Sequence, residues 1–103
     1  MSKTATVVIL QSSDDDAERC KEDFENDYDV ICSTTDRKVA LAELKEKKPD
    51  FFICSLFLHH ADGLSVIKSI KTLSEKTVCI VLDYIKSCDV VMLALRSGVD
   101  LYV

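Results

Sequence analysis

The sequence predicts an α/β fold built on a doubly wound parallel sheet, and three observations carry that prediction. Short apolar, β-favouring runs alternate along the 103 residues with stretches whose apolar residues recur at helical spacing. The connections are short, so strand, helix and next strand form βαβ crossovers rather than hairpins. The run Phe51 to Cys54 is wholly apolar between Pro49-Asp50 and Asp62-Gly63, as expected of a parallel strand buried on both faces. Residues 1–103 form one domain, with no repeat, linker or low-complexity tract.

Each element has its own local reason. Thr4 to Leu10 (TATVVIL) is β-branched and apolar and suits a first, central strand. Ser12 or Ser13 can cap the helix that follows, with Asp14, Asp15 and Asp16 at the positive end of its dipole. Ala17, Cys20 and Phe24 form its inward stripe, and Tyr28 to Ser33 is the second strand. Thr35 or Asp36 opens the next helix, with Val39, Ala40, Leu41 and Leu44 facing inward. Pro49 marks its stop, because proline disfavours helical geometry in the residue before it.

Strand three runs from Phe51 to Ser55, so Ser55 stands at its carboxyl end, the edge where open α/β sheets place ligands and chemistry. Leu64, Ile67 and Ile70 space a third helix, and Thr77 to Leu82 (TVCIVL) gives strand four. Asp89 to Ser97 is a fourth helix with Val91 and Leu95 inside, closed by Gly98. Val99 to Val103 begins strand five.

Composition excludes several classes of function. No apolar run approaches the roughly 20 residues of a membrane span, and the N-terminus has no secretion signal. The chain therefore reads as soluble and cytoplasmic, without a membrane partner. A net charge of −5 opposes a nucleic-acid surface, which needs a basic stripe to displace counterions. The basic cluster Lys45 to Lys48 reads as the solvated end of a helix. Five cysteines, Cys20, Cys32, Cys54, Cys79 and Cys88, show neither a C-x-x-C pair nor a zinc spacing, and read as reduced thiols, three of them in strands. Cys88 alone falls in an expected surface loop, which makes it the candidate for a thiol-based sensor.

His59, His60 and Asp62 suggest a metal site, but adjacent loop histidines rarely aim at one ion and no second cluster completes a ligand set. No metal and no cofactor are expected. Ser55 lacks a G-x-S-x-G elbow and a base, and the two glycines, Gly63 and Gly98, build no phosphate loop. The chain is not expected to be an enzyme.

Asp50, Leu56, Leu58, Asp62, Gly63 and Leu64 stand at fixed spacing around the third strand and the turn after it. With these residues the chain, over essentially its whole length, resembles the receiver domain of bacterial two-component response regulators. The resemblance implies a flavodoxin-like sheet with strand order 2-1-3-4-5. It also implies a conserved lysine, a proline and a fifth helix beyond Val103, so relative to the family the last helix is missing here.

Receivers phosphorylate an aspartate after strand three with the help of magnesium held by acidic residues after strand one. Ser55 stands at the acceptor position, and Gln11 and Ser12 stand at the acidic pair, while His59 and His60 stand where the family has Pro and Gly. The family's phosphate-binding Thr or Ser aligns with Asp83, the small residue after it with Tyr84, and the switch aromatic with Tyr102. Sliding the register to use Asp14 and Asp15 would bury Gln11, Ser12 and Ser13 in the central strand, costing roughly 1–3 kcal/mol each.

The expected protein is thus a degenerate receiver, or pseudo-receiver: a non-catalytic interaction module of a signalling pathway with a protein partner. The alternatives are an active receiver using Asp14, Asp15 or Asp62, and the thiol sensor. Self-association as a homodimer is expected through strand five and the fourth helix, with Tyr102 near its centre.

Overall fold

The computed structural model describes residues 5–55, 57–58, 61–81 and 99–102. Strand β1 (Thr6–Leu10) leads to helix α1 (Asp14–Phe24), strand β2 (Asp29–Thr34), helix α2 (Arg37–Lys47) and strand β3 (Phe51–Cys54). Two short strands, β4 (Phe57–Leu58) and β5 (Ala61–Asp62), precede helix α3 (Gly63–Leu73), strand β6 (Val78–Val81) and strand β7 (Leu101–Tyr102). The main sheet is parallel throughout, in the order β2-β1-β3-β6-β7, so the expected 2-1-3-4-5 order is the observed one. The predicted fourth helix with its Gly98 stop, His59, His60, Asp83, Tyr84, Cys88 and Val103 lie outside the described residues.

Strand periodicity divides the core in two. Val8 and Leu10 of β1, Phe52 and Cys54 of β3, and Cys79 and Val81 of β6 point to the face covered by Ala40 and Leu44 of α2 and Val66, Ile67 and Ile70 of α3. Val7, Ile9 and Ile53 point to the other face, where Cys20 and Phe24 of α1 pack. A strand apolar on both faces is stable only between two layers, which is why β1 is central and β2 is an edge. Between Val7 and Val8 the β1–β2 register slips by one residue, and Ile31 and Cys32 consequently both pack against the α2 and α3 side.

The helix ends follow the local chemistry. Ser13 is extended and its hydroxyl accepts the Asp16 N–H at 3.1 Å, with Asp14, Asp15 and Asp16 in the first turn. Asp36 does the same for α2, accepting the Lys38 N–H at 2.8 Å. Pro49 denies Lys48 the helical region, and Lys48 turns left-handed with φ 45° while its N–H still reaches the Leu44 carbonyl at 3.0 Å.

Several expectations change at the level of single residues. Val39 is 44% exposed rather than inward. Each helical residue turns by about 100°, so with Ala40 and Leu44 on the sheet Val39 rotates away from it. Val66 joins Ile67 and Ile70 in the core instead. Cys32 is half-buried because β2 has a neighbour on one side only, whereas Cys54 and Cys79 are fully enclosed. The segment expected to be a plain loop after Ser55 carries the antiparallel β4–β5 pair, Phe57 opposite Asp62 and Leu58 opposite Ala61.

Burial pushes the Cys20 and Cys79 thiols up from 9.0 to about 11, and Cys32 upward as well. Timed alkylation with mass readout is expected to label Cys32 ahead of Cys20, Cys54 and Cys79. The unfolded chain ionises these thiols before the folded one does. Stability to urea is therefore full below pH 9.0 and falls as the pH rises towards about 11. A flat urea midpoint across that window would contradict the burial of Cys20 and Cys79.

Candidate functional site

The strand order reverses at β1: α1 carries the chain out to β2 on one face, and α2 carries it back to β3 on the other. Crevices in doubly wound sheets open outside the carboxyl ends of strands at such a switch point. Leu10 ends β1 and Cys54 ends β3, and the Ser55 N–H donates to the Leu10 carbonyl at 3.2 Å, which sets Ser55 level with Gln11. The Gln11 N–H donates across to the Thr34 carbonyl at 3.0 Å, and the Cys54 thiol donates to the Ser55 carbonyl at 2.9 Å.

Gln11 and Ser55 are 7% and 8% exposed, enough burial to fix their positions, while Ser12 is half-buried. The three side chains offer amide and hydroxyl oxygens, neutral donors that a hard divalent cation prefers less than carboxylates. Asp14 and Asp15 follow on the exposed first turn of α1, where Asp14 accepts a long 3.5 Å hydrogen bond from Thr35. Among the described residues no group of three His, Cys, Asp or Glu side chains gathers around a common point. Of the predicted site residues, Ser55 follows β3 and bonds to the end of β1, where Gln11 and Ser12 follow in the chain; Tyr102 lies on β7 at the end of the sheet, and Asp83 and Tyr84 are outside the described residues.

Carboxylates gather at the opposite, amino edge, where they hold strands together. Asp50 accepts the Thr6 N–H at 2.8 Å and the Thr6 hydroxyl at 3.2 Å, and its own N–H donates to that hydroxyl oxygen at 3.1 Å. Its carbonyl accepts the Val78 N–H at 2.9 Å, so one residue ties the starts of β1, β3 and β6. Asp100 accepts the Cys79 N–H at 2.8 Å and pairs with Lys71 of α3, whose ammonium also donates to the Thr77 carbonyl at 3.0 Å. Inside this edge the Thr77 hydroxyl donates to the Pro49 carbonyl at 2.7 Å and meets the Ser74 hydroxyl at 2.7 Å.

Sequence reasoning did not find Lys71 and Asp100. The available signal was weak: an aspartate immediately before an apolar pair, and a lysine in the last turn of a helix two residues short of its end. Partial burial pushes the Asp100 carboxyl up, but the Lys71 hydrogen bond, the Cys79 N–H and the Lys71 charge together outweigh it and hold it below 3.8.

These features define a class first: a doubly wound parallel α/β domain with neutral polar residues at its switch point. The family model of the response regulator receiver domain matches residues 7–103, and the chain belongs to that family. Solved structures agree on the fold. The chain superposes with a TM-score of 0.88 on a two-component response regulator of the LuxR family from Aurantimonas sp. SI85-9A1, at 18% identity, covering 97% of this chain and 73% of that one. The Vibrio cholerae chemotaxis protein CheY4 gives 0.86 at 17% identity, over 97% and 85% of the two chains. The activated receiver domain of Klebsiella pneumoniae RstA gives 0.82 at 17% identity, over 95% and 83%. None of the curated proteins matches the sequence.

Replacing Asp100 by Asn is expected to cost about 1 kcal/mol at neutral pH, a modest value because the pair is partly exposed. An acid whose folded value is lowered stabilises fully above its unfolded value, 3.8, and loses that contribution as the pH falls through the lower folded one. Urea midpoints of the two proteins should therefore converge in acid. A constant gap from neutral pH down to strong acid would show that the carboxylate charge is not what holds β7.

Proposed function

We propose that this receiver domain works in signalling as a protein-interaction module that is not phosphorylated on an aspartate. One observation carries the reading: the three side chains at the switch-point crevice, Gln11, Ser12 and Ser55, are all neutral. Phosphoryl acceptance on a carboxylate needs that carboxylate and acids to hold its cation. Asp14 and Asp15 are directed by the Ser13 cap into the first turn of α1, where a helix dipole is reason enough for them. Asp83, at the position of the family's phosphate-binding hydroxyl, would add repulsion rather than a hydrogen bond.

The partner is a protein that recognises the surface of the fold. The net charge of −5 speaks against nucleic acid as the partner of this domain. No described helix is long and apolar enough to cross a membrane. We also propose self-association through β7, an end strand of the described sheet, with Tyr102 and the predicted fourth helix at the contact. Among the described residues burial holds the Cys20 and Cys79 thiols near 11, far from a reactive thiolate at neutral pH, while Cys88, the candidate for thiol sensing, lies outside them.

Titration calorimetry with magnesium, and then with beryllofluoride in its presence, tests the reading. No saturable heat is expected from the natural chain, and a variant carrying Gln11→Asp, Ser12→Asp and Ser55→Asp should gain magnesium binding. Stoichiometric magnesium heat in the natural chain, abolished by Ser12→Ala or Asp14→Ala, would refute it. Light scattering after size exclusion reads the self-association; a mass that stays monomeric through high micromolar concentration argues against the β7 contact.

A further inference from the structure

On one side the sheet ends in β2, and the elements around that edge, β1, α1 and α2, are wholly described. The Asp29 N–H donates to the Ala5 carbonyl and the Thr34 carbonyl accepts from the Gln11 N–H, so both residues turn inward to β1. Alternation along a parallel ladder then turns the Ser33 N–H and C=O outward, where no described strand meets them. The register slip lies in the amino half of β2, and from Cys32 to Thr34 the strand is regular. Natural edges are commonly blunted with lysine or proline, and β2 (DVICST) has neither.

A groove of about 320 Å³ runs along this edge. One wall is β2 from Val30 to Ser33; the other is the stripe Asp14, Ala17, Glu18 and Lys21, which recur at i, i+3, i+4 and i+7 on one side of α1. The Ser33 hydroxyl donates to the Ala17 carbonyl at 2.8 Å, a bond that ties strand to helix and fixes the width of the groove. Negative charge prevails in it. Asp14 and Glu18 stand exposed on the helix wall, exposed Asp29 opens the strand, and Lys21, half-buried, is the one base lining the groove.

We propose that this groove takes an extended, basic segment of a partner protein as an added strand beside β2, its alternate Lys or Arg side chains on Asp14 and Glu18. Strand addition draws affinity from main-chain hydrogen bonds, here through Ser33, and selectivity from alternate side chains, here through the acids of α1. A second copy of this chain fits less well. Two-fold pairing of β2 with β2 is antiparallel, so Asp29 of each copy would meet the carboxyl end of the other strand, where Asp14 lies bonded to Thr35. Docking here supplies the surface for the protein-interaction role above and rests on it, whereas the magnesium calorimetry reads the crevice alone, so each can fail separately.

The test uses the whole 103-residue chain and a blocked synthetic peptide of about eight residues in which lysine and valine alternate, so that its lysines share one side when it is extended. Calorimetry and amide chemical shifts should report saturable one-to-one binding, centred on Val30 to Thr34 and the α1 stripe. Two N-methylated forms of the peptide, one on every lysine nitrogen and one on every valine nitrogen, keep charge and side chains but lose the donors on opposite sides of the strand. One form should bind about tenfold or more weakly than the other. The double reversal Glu18→Lys with Asp29→Lys, which alters only exposed side chains, should weaken binding of the unmodified peptide by about the same factor.

Absence of saturation, shifts centred on β7 instead, or two methylated forms that bind alike would overturn the inference. So would a double reversal that binds as the natural chain does. A free chain found as a dimer, with the Ser33 amide already protected from exchange, would overturn it too and assign the edge to a second copy.

Discussion

Everything in this fold depends on the burial of β1 from both sides. Val7, Val8, Ile9 and Leu10 are each no more than 1% exposed, and each contributes about 1.5–3 kcal/mol by leaving water. That is possible only if strands flank β1 and helices cover both of its faces. The first crossover must therefore run over one face and the second over the other, which reverses the direction in which strands are added. The reversal creates the crevice at the carboxyl end of β1. Packing dictates where the switch point falls, and in this chain Gln11 and Ser55 stand there.

The two ends of the strands have divided their labour. At the amino edge Asp50, Asp100, Lys71 and Thr77 spend their polar groups on backbone partners of neighbouring strands. Each clamp contributes on the order of 1 kcal/mol, less than a single buried apolar side chain, but it acts where the register of β1, β3, β6 and β7 begins. At the carboxyl edge Gln11 and Ser55 are buried and neutral. Groups with perturbed ionisation usually cluster at sites of chemistry. Among the described residues they are the thiols of Cys20, Cys32 and Cys79, the Lys47 ammonium paired with the half-buried Glu43, and the Asp100 clamp, and burial or an ion pair accounts for each.

Much of this was legible in the sequence because its signals are local. Strand alternation with helices, the Ser13 and Asp36 caps, the stop at Pro49 and the position of Ser55 follow from propensity, capping and spacing within a few residues of each other. The strand ends at Leu10, ahead of the polar residues Gln11, Ser12 and Ser13. Single-residue errors fell where a neighbour outside the local pattern decides burial. Val39 lies on a helix flank whose exposure depends on how α2 rests on the sheet. Cys32 is apolar in pattern but sits on an edge strand.

The sequence by itself determined the strands of the main sheet, the first three helices and their order, because residue type and period are written in the chain. Tertiary structure alone decided which distant groups meet: Thr6 with Asp50, Pro49 with Thr77, Lys71 with Asp100, and Phe24, Tyr28 and Phe51 in one aromatic wall. The physical reason is the same in each case. These contacts join residues on different strands and helices, and their geometry is set by the parallel register and by the face on which each crossover packs. No local spacing encodes either.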